Sequence, residues 1–220
     1  MLYLLLILIE IISLYFISRR VVTGIYNFFY QVTKRKNLGM YIFAVLFLPG
    51  TFIHEISHFL AALFLLVPVG ELHLIPRFKE EGGGMDLGSV AIAKTDPIRR
   101  FLIGVAPFMF GILIIFSLLY FVLMNRIIST VWEYALVGIV IFEVSNSMFA
   151  SKKDLEGALA LIIFIVFIIG VLYYVGVRVP IKINGLLFNN SAVEFYRNAA
   201  LFLLIPIVID SIVLISLKKV

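Results

Sequence analysis

The sequence predicts an all-α polytopic membrane protein of about six transmembrane helices, with a small membrane-surface β-hairpin between the second and third. Two observations carry that expectation. Hydrophobic residues make up 63% of the 220 positions, against about half in a soluble globular domain. They also gather into long runs near the ~20 residues that a bilayer-crossing helix requires, with Lys and Arg clustered between the runs.

The first run, Leu2 to Ile17, is followed by Arg19 and Arg20. A cleaved leader carries its positive charge ahead of the apolar stretch, so this run reads as a retained helix. Glu10 lies inside it and is expected to face protein rather than lipid. A mixed segment containing Lys34-Arg35-Lys36 leads into the second run, Met40 to Val67, which holds His54-Glu55-Ile56-Ser57-His58 near its middle. Residues 68–98 form the longest polar stretch. Within it, Glu71 to Phe78 and Ser89 to Lys94 are strand-like, and Gly82-Gly83-Gly84 between them predicts a hairpin. The third run is Phe101 to Met124, with Gly104-Val105-Ala106-Pro107 and Gly111. The fourth is roughly Thr130 to Ala150, with Glu133, Glu143, Ser145 and Asn146 inside or near it. The fifth is Ala158 to Val177, and the sixth is Ala199 to Leu217, interrupted by Pro206 and Asp210. No internal repeat is visible. The chain reads as one membrane-embedded domain over residues 1–220, with its core at about 40–175 and no PDZ or regulatory domain.

The net charge of +5 is spread over residues that flank the apolar runs, the placement of anchors at a bilayer surface. No basic cluster interleaved with aromatics lies on a soluble segment, so nucleic acid is not an expected partner. Lys and Arg divide evenly between the two sides of a six-span plan, which leaves orientation open. A prokaryotic plasma membrane is the expected location, since the N-terminus lacks the look of a transit peptide. The absence of cysteine removes disulfides and thiolate ligands, so any metal must be held by His, Asp or Glu.

The chemistry sits in the second run. An HExxH sequence on a helix puts its two histidines one turn apart on one face, where both imidazoles reach one tetrahedral Zn²⁺. The glutamate following the first histidine stands beside the metal-bound water and can take its proton. His54 and His58 are therefore the expected ligands and Glu55 the general base. Each is expensive inside an apolar helix, by about 2.5–3.5 kcal/mol for a charged group at the centre of a span. A catalytic zinc takes a third protein ligand and leaves its fourth position to water. Asp154, His73, Glu143, Asp86 and Asp210 are the candidates. Two crossings separate the end of the second run from the junction of the fourth and fifth, so Asp154, at that junction, lies on the correct side. Asp154 also suits the N-cap of a fifth helix.

These residues resemble the site-2 protease family of intramembrane metalloproteases. There an HExxH helix is paired with a downstream helix carrying Asn, Pro three residues on, and Asp-Gly eight residues past the Asn. Here Asn146 and Asp154 keep the Asn-to-Asp spacing. Phe149 stands in the place of the proline, and Leu155-Glu156-Gly157 follows Asp154 in place of an immediate glycine. Gly104 to Gly111 with Pro107 is similar to the family's Gly-Pro-rich third helix. The resemblance implies a zinc endopeptidase acting on transmembrane segments of other membrane proteins, with His54, His58 and Asp154 on the metal. Asn146 would then bind the extended substrate backbone or the oxyanion; it would equally serve to tie helices together. The hairpin edge would hold substrate by strand addition. Two other readings are a membrane metal transporter or channel, and a non-catalytic membrane scaffold of the same fold. Transporters commonly carry repeats, and a scaffold has no need of Glu55.

Overall fold

A computed structural model describes residues 2–74, 77–78, 85–125, 129–149, 154, 166–168, 171, 174 and 190–217. Its elements are α1 (Leu2–Thr33), α2 (Lys36–Leu46), α3 (Leu48–Phe64), β1 (Val69–His73), β2 (Arg77–Phe78), β3 (Met85–Asp86), β4 (Ser89–Ile92), α4 (Pro97–Asn125), α5 (Val131–Ser147) and α6 (Asn190–Leu217). Among the described residues, α1, α4 and α6 are long and apolar enough to cross a membrane; the bent pair α2–α3 makes a fourth if it counts as one span. Apolar side chains on the outward faces of these helices, such as Leu113 and Ile212, are exposed, as lipid-facing residues are. The fifth apolar run lies outside the described residues apart from isolated positions.

The second apolar run is not one helix. It breaks at Phe47, and α2 and α3 meet at 64°. Pro49, in the first turn of α3, explains the break. Its ring displaces the carbonyl four residues back and it has no N–H to continue the ladder, whereas proline is well tolerated in a first helical turn. The other end of α3 closes with a left-handed residue, Leu66 at φ 56°. There the N–H of Leu66 donates to Leu63 O (3.0 Å) and that of Val67 to Ala62 O (2.9 Å). This is the Schellman arrangement, with leucine in the position glycine usually takes and Pro68 after it. Val67 and Ala62 then pack together with Ile103, which turns the chain into the hairpin.

The hairpin is present where the sequence placed it. β1 pairs antiparallel with β4, Leu72 opposite Val90 and His73 opposite Ser89, with an irregularity between Val69 and Leu72. Further out, β2 pairs with β3. Glycines 82–84 lie outside the described residues. Asp96 then starts α4: its Oδ1 accepts from the N–H groups of Ile98 (3.1 Å) and Arg99 (3.0 Å), with Pro97 as the first helical residue. The Arg99 N–H foremost holds the Asp96 carboxyl below the usual carboxylate range. At α5 the N-cap is Thr130, and Glu133, three residues in, reaches back to accept from the N–H groups of Ser129 and Thr130 at 2.8 and 2.9 Å, a capping box.

Helix directions follow from which residues meet. Gly50 of α3 reaches Glu143 of α5, and His54 reaches Ser147; both pairs are 93 residues apart, so α3 and α5 run parallel and in step. α4 runs against them, since Gly111 packs on Met148 while Ile115 and Leu119 share a buried cluster with Ile141 and Val144. In α1, Leu14 belongs with that cluster, which Phe202 to Ile209 of α6 partly cover. Val21 and Ile25 belong with Val213, Leu214 and Leu217, and Gly24 lies against Leu217. α1 and α6 are therefore parallel. Six single crossings in alternation would set them antiparallel, so that expectation is corrected here. Counting apolar runs shows how much chain is greasy enough to cross, not in which direction each run returns.

Candidate metal centre

His54 and His58 occupy successive turns of α3, seven and eleven residues into the helix. Their rings are fixed from behind by backbone. Nδ1 of His54 lies 2.6 Å from the Ser147 carbonyl of α5, and Nδ1 of His58 lies 2.8 Å from the Ile103 carbonyl of α4. A carbonyl only accepts, so each Nδ1 carries the proton and each Nε2 presents its lone pair. The two Nε2 atoms face each other at 3.2 Å. Asp154 completes the group, with Oδ1 3.3 Å from His58 Nε2 and Oδ2 3.6 Å from His54 Nε2.

Two imidazole nitrogens and a carboxylate converge on one point, where a metal ion or a proton between them offsets their repulsion. The group is compact enough to share one metal ion. The two Nε2 atoms are 3.2 Å apart, and each has a different Asp154 oxygen near it, Oδ1 at 3.3 Å from His58 and Oδ2 at 3.6 Å from His54. The Nδ1–carbonyl contacts are the outer partners that metal-bound histidines ordinarily have. Among the described residues, His54, His58 and Asp154 are the group able to hold a metal ion.

Backbone proximity shapes the rest. A Cβ on Gly104 of α4 would overlap the Asp154 carbonyl oxygen, so a side chain there would push Asp154 away from the two histidines. Gly88, just before β4, lies on Glu55 and Thr51: a Cβ would come 2.8 Å from Glu55 Cγ. Glu55 is buried, with the turn between β3 and β4 against it. The base of the expected chemistry is thus enclosed between α3 and the sheet.

The other candidate ligands are engaged elsewhere. Glu143 accepts from the Gly50 N–H at 3.2 Å, which satisfies one of the free donors in the first turn of α3. His73 pairs with Glu71 on β1 at 3.1 Å. Asp210 accepts from Asn146 Nδ2 at 2.7 Å. Asp86 lies in β3, and its side chain is outside the described residues. Asn146 is buried next to Ser147, and its amide donates to both Phe142 O (2.9 Å) and Asp210 Oδ1. An oxyanion requires a donor, and both of these are in use; Asn146 Oδ1 is the atom left as an acceptor. Phe149, in place of the family's proline, packs edge-on against Tyr15 at 5.3 Å between ring centres and tilted against Phe108 at 6.1 Å. α5 ends there without a proline.

The comparisons add no relative. Set against family models, curated proteins and solved structures, the chain matches none. The site therefore stands on its own geometry. Sequence reasoning missed four contributors: the carbonyls of Ser147 and Ile103, the capping role of Glu143, and Gly88. The carbonyls carry no residue signature. Glu143 was visible as a carboxylate in an apolar run, and the Pro49-Gly50 pair at a proline-started helix, with the Gly50 N–H left free, was the signal that would have matched it.

Proposed function

We propose that this chain is an intramembrane zinc metalloendopeptidase that hydrolyses peptide bonds in or beside transmembrane segments of other membrane proteins. The observation that supports it most is the convergence of His54 Nε2, His58 Nε2 and the Asp154 carboxylate within reach of one metal ion, beside the buried Glu55 of the same helix. Zinc, when bound, lowers the pKa of a water and polarises the scissile carbonyl. The chain's own groups do the remaining work. The Ser147 and Ile103 carbonyls hold the imidazoles in the ligating tautomer. Glu55 takes a proton from the attacking water and returns it to the nitrogen that leaves as the peptide bond breaks.

A helical substrate has its carbonyls tied up in hydrogen bonds, so it must be extended before water can attack. The β1–β4 ladder offers an edge for strand addition, and Gly88, just before β4, lies against Glu55. An extended segment added there would run past the base. Asn146, expected from the resemblance to bind substrate, has both amide N–H groups engaged by Phe142 O and Asp210, which favours its other expected role of tying helices together.

The test uses the full chain reconstituted in lipid vesicles with a transmembrane reporter substrate. Cleavage is expected, lost on treatment with a zinc chelator and restored by added zinc. Zinc movement across the vesicle membrane with the reporter left intact would replace this reading by that of a transporter.

A further inference from the structure

Asp210 is completely buried on α6. Its Oδ1 accepts from Asn146, but its Oδ2 has no hydrogen-bond partner among the described residues, and neither has Asn146 Oδ1. The amide orientation is set independently by the Phe142 carbonyl: it can only accept, so Nδ2 must face it. The two orphan oxygens therefore belong to two side chains already joined by one hydrogen bond. With Asp210 ionised, both are acceptors, and two acceptors cannot pair. One proton on Oδ2 resolves both at once, closing a ring in which amide and acid exchange two hydrogen bonds. A metal cation would instead ask for several more oxygen ligands, and the neighbouring cluster of Leu14, Ile141 and Val144 is apolar.

We infer that Asp210 is a neutral carboxylic acid and a positioning residue: paired with Asn146 through two hydrogen bonds, it clamps the last turn of α5 to α6. Ser147, the next residue, presents the carbonyl that holds His54, and the chain leaving this turn carries Asp154. The clamp thus acts on two of the three metal ligands from outside the site. Its effect on the metal rests on the zinc reading above; the acid–amide ring does not.

The experiment compares the full-length protein with Asp210→Asn and Asp210→Leu. Asparagine keeps a neutral ring, donating from its own amide to Asn146 Oδ1, whereas leucine breaks it. Infrared difference spectra of wild type against Asp210→Asn are expected to show a carboxylic-acid C=O band present in the wild type and lost in the variant. Zinc affinity in Asp210→Asn is expected within about threefold of wild type, and in Asp210→Leu to be about 10–100-fold weaker, the usual cost of losing an outer-shell support. Absence of the band, or an Asp210→Asn protein as poor in zinc as Asp210→Leu, overturns the inference. Should Asp210→Leu fail to fold, the band and the Asp210→Asn affinity still decide. A wild type that shows the band but binds no zinc leaves the ring standing and removes the functional reading.

Discussion

At the scale of single residues, the metal centre is a problem in lone pairs. The sequence alone pointed to the two histidines and, among five acidic or histidine candidates, to the aspartate that the fold brings beside them. Spacing along a helix is readable, and so is the side of a membrane on which a junction falls. The backbone carbonyls that set both tautomers were not readable, because any residue can supply one. Nor was the partner of Asn146, which lies 64 positions further along the chain. Of the three proposed ligands, Asp154 has the least support from sequence motif, and its place beside both histidines comes from the fold. Asp154→Ala is expected to weaken zinc binding by at least about 100-fold, since a directly bound ligand outweighs an outer-shell one. Competition against a chromophoric chelator measures it, and unchanged affinity would assign the third position to another group.

At the scale of elements, the site depends on where helices stop and how closely backbones approach. The apolar runs were legible as helices, and the hairpin as a glycine-punctuated polar stretch. The break between α2 and α3 was not, because a count of apolar residues passes over Pro49. That break leaves free N–H groups at the start of α3, and Glu143 caps one of them. Glu143→Leu is expected to cost about 0.5–2 kcal/mol of stability, the range for loss of a helix cap, seen as a lower unfolding midpoint; an unchanged midpoint would deny the cap any part in holding α3. Gly104 gives a sharper case. Alanine favours helix over glycine by about 1 kcal/mol, so Gly104→Ala taken alone would strengthen α4. Its methyl group would overlap the Asp154 carbonyl, and the expected outcome is weaker zinc binding, by about tenfold or more, in a protein that remains helical. Full zinc affinity in that variant would mean that the close approach is not needed.

At the scale of the whole molecule, membrane residence was the plainest message of the composition, and the path through the membrane the least legible. The parallel setting of α1 and α6 depends on side chains meeting across nearly two hundred positions, which no local pattern encodes. It makes a direct prediction. The chain has no cysteine, so a single introduced thiol can be probed from either face. Leu2→Cys and Asn190→Cys are expected to react with a membrane-impermeant reagent from the same side of sealed vesicles, and Lys34→Cys from the other. Labelling of positions 2 and 190 from opposite sides would restore the alternating plan.

The molecule's proposed work comes back to one proton. Glu55 is buried beneath Gly88 and is not among the three groups placed to hold the metal. Glu55→Gln keeps its size and removes the base, so zinc should remain at one per chain while cleavage of a transmembrane reporter falls by about 100-fold or more. Zinc content and cleavage measured together on wild type and Glu55→Gln test the proposal most directly. Cleavage that persists in the variant, or a wild type that cleaves equally well without zinc, would contradict it.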